Sequence, residues 1–366
     1  MLYREYGKTG KKISIVGFGG MRFEDINNRQ ACVETMLEAA QNGINYFDTA
    51  PAYVGVKSEE VFGEAFREFR RRGLPFYCST KTGQAAEDDI RREIEDQLKR
   101  LDVAAIDFYH IWCVTSLENW EERKRKNILN TFRSLKEEGL IRHISVSSHL
   151  IGDETKELLM EGVFEGVLFG YSAHNFAFRQ AAFEAIAEQN LGCVVMNPLG
   201  GGIIPQNPDV FDFVRTREDE TVVEAALRFL FAHDRITAAL VGFSNKEQVK
   251  EAVAAVEGYQ PLSEEKFQKI KSGIQESFRD LCTGCQYCEN CPEGIPISKM
   301  MDAYNQYLLL GQEQHALNQL KWHWNIPPSE ADKCIGCGQC EEACTQHLNI
   351  IERLREISDM ARRANR

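Results

Sequence analysis

Over roughly the first 275 residues, short apolar runs alternate with longer segments whose apolar positions recur every three or four residues. The short runs fall at 15–18, 44–48, 76–80, 106–112, 143–147, 166–171, 193–197 and 238–241 and predict eight strands. Between them, segments such as 29–42, 58–71, 87–101 and 127–138 have the helical period. Their exits carry glycine, as at Asn42-Gly43 and Glu138-Gly139. A leading hairpin is expected at 2–6 and 12–15. Strand–helix alternation on this scale predicts an α/β fold, a (β/α)8 TIM barrel. A doubly wound sheet is the alternative; it is weakened because Gly17-Phe-Gly19-Gly20 is too short for a G-x-G-x-x-G turn. Beyond the barrel the pattern becomes helical. Pro261-Leu-Ser263 opens a helix to about 277, residues 297–324 read as helix with Met300, Met301, Tyr304, Tyr307 and Leu308 on one face, and 350–363 closes the chain. The expected division is a barrel over 1–260, a linking helix over 261–278 and a small, mainly α, ferredoxin-like domain over 279–366.

Bulk properties narrow the function classes. A formal net charge of −12 disfavours nucleic acid or an anionic membrane as partner. No apolar run approaches the ~20 residues that span a bilayer. No leader peptide is visible at the N-terminus, and the expected home is a reducing cytoplasm.

Twelve cysteines are present, eight of them in two short runs. The first reads Cys282-x2-Cys285-x2-Cys288-x2-Cys291-Pro292 and the second Cys334-x2-Cys337-x2-Cys340-x3-Cys344. The second has the spacing of one half of a bacterial ferredoxin, in which three thiolates hold one cubane and the fourth ligates the other. Two [4Fe-4S] clusters are therefore expected, one on Cys282, Cys285, Cys288 and Cys344, the other on Cys334, Cys337, Cys340 and Cys291. Structural zinc more often uses two separated C-x2-C pairs.

Active sites of such barrels gather at the C-terminal strand ends. Strand two ends in Asp48-Thr-Ala-Pro-Ala-Tyr53, strand three in Ser79-Thr80-Lys81, and strand four in His110-Ile-Trp112. A lysine beside a tyrosine favours the phenolate, and a carboxylate keeps that lysine charged. Such a phenol can protonate a carbonyl oxygen as hydride reaches the carbon. The alternative is that Asp48 caps its loop and Lys81 makes a surface ion pair.

Asp48-Thr-Ala-Pro-Ala-Tyr53, followed by Ser58-Glu59, Gly63 and the strand-end Lys81, resembles the aldo/keto reductase family, from the hairpin to about residue 256. With the cysteine runs added, the whole chain is similar to that family's ferredoxin-fused branch. The resemblance implies catalytic roles for Asp48, Tyr53 and Lys81, and NADPH as the usual cofactor. It also implies a histidine where Trp112 stands; His110, two residues earlier, shares the same strand face and could act in its place. The nicotinamide positions depart as well. Ser147-Ser148 stand for the usual Ser-Asn, Gly170 for a glutamine, Gln248 for the arginine that pairs a 2′-phosphate, and Ala252 for an asparagine. Gly242, Ser244 and Lys246 remain as candidate phosphate contacts.

The expected function is an oxidoreductase acting on a carbonyl or conjugated substrate, planar or ring-shaped, with NAD(P)H possible. The clusters would serve electron transfer, with a redox partner protein, or the stability of the tail. The alternative is an electron-transfer or docking protein on a barrel without nicotinamide chemistry.

Overall fold

The structure, a computed structural model, describes residues 1–55, 57–150 and 152–364, with the backbone alone at 177, 178, 276, 277 and 323. The chain forms two compact units, one of residues 1–199 and 213–271, the other of 200–212 and 272–366.

The first unit opens with an antiparallel pair, β1 (Tyr3–Glu5) and β2 (Lys12–Ser14). Eight parallel strands then close into a barrel: β3 (Val16–Gly19), β4 (Tyr46–Asp48), β5 (Tyr77–Thr82), β6 (Ile106–Val114), β7 (Ile141–Ser148), β8 (Gly166–Gly170), β9 (Gly192–Met196) and β10 (Ala238–Gly242), with β10 pairing both β9 and β3. Helices cross between them, including Arg29–Gln41, Ser58–Arg72, Glu87–Leu101 and Ile128–Glu137.

Alternation along each strand decides what points inward. Tyr46, Phe108, Leu168, Val194, Ala238 and Leu240 pack together inside the barrel with Tyr6 and Ile13 of the hairpin. Tyr6 is the stopper of the N-terminal end. Its hydroxyl meets Ser145 Oγ at 3.1 Å, and its ring lies 4.3 Å from that of Phe108. The ring fits because Gly166 and Gly192 have no side chains: a Cβ on either would stand 2.0–2.1 Å from a Tyr6 atom. Arg4 fastens the hairpin from outside, donating to the carbonyls of Phe231, His233 and Ile236.

The second unit is helical, with Ile297–Leu310, Glu313–Asn318 and Ile350–Ala364 as its main segments. Two expectations change. The helix opened by Ser263 spans only Glu264–Ser272. The 297–324 stretch is interrupted because Gly311, at φ +69°, ends its first helix in the left-handed conformation, and a π-turn at Gln319–Trp324 follows the next. Met300, Met301 and Tyr304 enter a core shared with Ile297, Leu317, Leu354, Ile357 and four of the cysteines. Among the described residues, no helix is long and apolar enough to cross a membrane.

Candidate functional site

The inward period of two brings a defined set of residues to the C-terminal rim: Gly19, Asp48, Lys81, Trp112, Ser147, Gly170, Met196 and Gly242. Asp48 and Lys81 are both fully buried and form an ion pair through Asp48 Oδ1. Lys81 Nζ also donates to Thr49 O at 2.8 Å. The pair is thus not a surface one. Burial pushes the Asp48 carboxyl up and the Lys81 ammonium down, each against the pull of its partner.

Asp48 Oδ2 accepts from Ser79 Oγ at 2.7 Å. Ser79 Oγ lies 3.1 Å from His110 Nε2 and accepts from the Tyr46 hydroxyl at 3.0 Å. His110 is therefore one layer below the rim, linked to Asp48 through Ser79. Burial, with the Lys81 charge adding, holds its pKa well below the ordinary histidine value, so the ring is neutral. Its Nδ1 faces the Val146 backbone without a hydrogen bond of normal geometry.

Tyr53 sits on the turn after β4, its N–H donating to Ala50 O at 3.2 Å. Lys81 Nζ lies 5.3 Å from its ring centroid. Trp112 meets Tyr53 edge to face, with centroids 5.9 Å apart at 82°. The Trp112 carbonyl accepts from Arg123 Nη1 at 2.5 Å. Acid, lysine, tyrosine and tryptophan thus converge at one place.

The candidate cofactor residues are more occupied. Ser147 is buried, and Ser148 Oγ engages Thr155 Oγ1 at 3.2 Å and Leu150 N at 3.3 Å. Lys246 pairs with Glu34 at 2.7 Å. The Gln248 side chain accepts from Ser244 N at 2.8 Å, and Asn245 caps Gln248 N at 3.0 Å. Ser244 Oγ donates to Arg22 O at 2.8 Å, and the Arg22 side chain lies over Gly242. Two of the amides at this helix start, those of Ser244 and Gln248, are thus met by the chain's own side chains.

In the tail, burial raises the thiol pKa values of Cys282, Cys288 and Cys344, Cys282 up to about 12, and neighbouring cysteines of the set Cys282, Cys285, Cys288 and Cys344 lie close enough to add to it. Cys291, Cys334, Cys337 and Cys340 line a second space with Ile295, Ile297 and Leu354. In each group the last cysteine of one run joins the first three of the other. Among the described residues, no three His, Cys, Asp or Glu side chains close around a single ion. Asn305 positions the first run, accepting from Cys282 N at 2.9 Å and donating to Cys282 O at 2.8 Å. Neither Asn305 nor the Ser79–Tyr46 link is evident from spacing.

The fold is a closed parallel barrel followed by a cysteine-rich helical unit. Residues 15–275 match the Aldo/keto reductase family model, and residues 281–350 match the 4Fe-4S dicluster domain. The chain belongs to the aldo/keto reductase family. It is 26% identical to L-galactose dehydrogenase of Arabidopsis thaliana, over 69% of this chain and 87% of that protein. It is also 26% identical to the NADH-specific methylglyoxal reductase of Escherichia coli, over 51% of this chain and 62% of that one. Among solved structures, aldo-keto reductase AKR11C1 from Bacillus halodurans in its holo form superposes with a TM-score of 0.62 at 25% identity, covering 76% of this chain and 99% of that one.

Proposed function

We propose that the barrel reduces, or in reverse forms, the carbonyl or conjugated double bond of a small, partly planar molecule, with Tyr53 as proton donor. The observation that carries this is the buried Asp48–Lys81 pair, with its ammonium 5.3 Å from the Tyr53 ring centroid. When a carbonyl carbon accepts hydride, negative charge appears on oxygen, and the phenol neutralises it by giving up its proton. The Lys81 ammonium stabilises the phenolate left behind, and Asp48 keeps that ammonium charged. Ser79 holds the Asp48 carboxylate in place from below. His110, neutral and deep, is a positioning residue for that link. Trp112 forms a flat wall with one N–H donor and no acceptor, suited to stacking on a planar substrate.

A nicotinamide dinucleotide, when bound, would supply the hydride; of the candidate contacts Ser147 stands at the rim, while Arg179 covers Gly170, Arg22 covers Gly242, and the Ser148 and Ser244 hydroxyls would have to give up present partners. A phosphate at the 244–248 turn has to displace the Gln248 side chain from the Ser244 amide, and Lys246 is already paired. Discrimination in favour of a 2′-phosphate is accordingly weak. In the tail, thiols are the donor set that iron–sulfur clusters take. The two groups of four suit two [4Fe-4S] clusters with crossed fourth ligands, which would supply one-electron chemistry to a redox partner protein. The same donor set is compatible with a reducing, cytoplasmic setting.

Tyr53→Phe tests the reading, since it keeps the ring and removes the proton. On the carbonyl substrate that wild type reduces best in an anaerobic screen, turnover falls by at least ~10²-fold. Lys81→Met has a similar effect. Undiminished turnover in Tyr53→Phe sinks the proposal.

A further inference from the structure

Of the eight inward-facing residues at the strand ends, only Asp48 is acidic, and Lys81 already claims it. Across the rim from that pair, β8 ends in Gly170, whose side-chain direction is inward: Leu168, two residues earlier, belongs to the barrel interior. The space beside Gly170 is taken by Arg179. A Cβ on Gly170 would stand 3.6 Å from the Arg179 guanidinium carbon and 3.8 Å from its Nε and Nη1. Arg179 comes from the short 3-10 turn after β8, so its head group lies over the barrel mouth.

That head group is partly buried, and its remaining donors stay open to solvent. Among the described residues it gives one hydrogen bond, Nη1 to Leu150 O at 3.1 Å, and pairs with no carboxylate. Burial alone lowers its pKa to about 10, with no opposing charge to hold it up. A guanidinium has five donors in a planar fork that fits a carboxylate two-handed. With one nitrogen committed and no carboxylate of the chain in place among the described residues, the remaining donors are available to an anion that enters the mouth.

We infer that Arg179 is the anion-binding residue of the barrel mouth and that the substrate carries a carboxylate. This rests on the reductase reading for its site. A carboxylate suits the position better than a phosphate dianion, because a single guanidinium, one of its nitrogens committed to Leu150, matches one negative charge. The Trp112 wall also favours a planar molecule.

The test is equilibrium binding, with probes that cannot turn over. Benzoate and benzamide are planar and nearly equal in size and differ by one charge. Titrated by calorimetry into the full-length anaerobic protein, benzoate binds about tenfold or more tightly than benzamide. Arg179→Met removes that preference while leaving benzamide affinity unchanged, and Arg179→Lys keeps part of it. Should the methionine variant not fold, Arg179→Gln and the wild-type pair decide. Equal affinities in wild type, no measurable benzoate binding, or a preference that survives the loss of Arg179 overturns the inference. So does finding that inorganic phosphate, and not benzoate, is the anion whose affinity depends on Arg179. Turnover is measured apart: intact Tyr53-dependent turnover without anion preference overturns this inference alone. Anion binding through Arg179 with no turnover on any carbonyl compound overturns the reductase reading alone.

Discussion

At the barrel rim, Asp48 and Lys81 are both buried, and each neutralises the other with the chain's own atoms. In the tail, Cys282, Cys288, Cys340 and Cys344 are also buried, though less deeply, and they sit in the core beside Ile297, Met300 and Leu354 as if they were apolar. A buried ion pair is costly to break from one side, about 3–5 kcal/mol, and so it locks a geometry that folding alone completes. A small core built around thiols buries little hydrocarbon and gains much of its stability when metal replaces the thiol protons. The rim is therefore set by packing, while the tail depends on atoms that the chain does not encode.

The largest effect expected from this contrast is on metal removal. Anaerobic protein should carry about eight iron per chain, and Cys344→Ala or Cys291→Ala should lower it to about four. Stripping the iron should open the tail to protease while leaving the barrel resistant. Stoichiometric zinc without acid-labile sulfide breaks the comparison.

Next in size is the rim's selectivity. Trp112→His gives small aldehydes a hydrogen-bonding partner and more room. Their turnover should rise about tenfold, with a loss on the native planar substrate. No change in either would make Trp112 a packing residue only.

Acid should then separate the two units. His174 and His233, both in the barrel unit, are held neutral by burial, with pKa values lowered from 6.5 to about 4. The unfolded chain binds protons in that window and the folded one does not. Their contribution to stability is therefore complete above pH 6.5 and is lost as pH falls toward 4. Each costs roughly 1 kcal/mol by about pH 5.5. Thermal melts of the barrel should show this slope, and His174→Asn should flatten it. The smallest effect is at the cofactor: NADH and NADPH dissociation constants should differ by less than about tenfold. A hundredfold preference for NADPH contradicts the reading of Gln248 and Lys246, and binding of neither favours the docking alternative.

The legibility of these features follows the range of the interactions behind them. The eight strands lie where alternating runs predicted them, as at Ala238–Gly242, because burial imposes its period locally. The depth of His110 relative to Trp112 also follows from a period of two. The bridge from His110 through Ser79 to Asp48 does not, since it depends on the register of three strands. Lys246 looked available for a phosphate, but Glu34, on a helix more than 200 positions away, occupies it. Arg179 gave no periodic signal because it lies in an irregular segment. Gly311 was visible as a residue but not as a break, because glycine is tolerated within helices as well as at their ends.

The stopper at the barrel's base places a constraint on time. Tyr6 and Arg4 are synthesised well before what they hold. Ser145 lies 139 positions beyond Tyr6, and His233 lies 229 positions beyond Arg4. A nascent chain cannot seal its barrel from the N-terminus forward; the hairpin must wait, unseated, until β8, β9 and β10 have left the ribosome. Closure is then a late, long-range event of the kind that slows folding. Fusions or truncations that burden Met1–Ser14 should slow that step before they affect anything at the opposite rim.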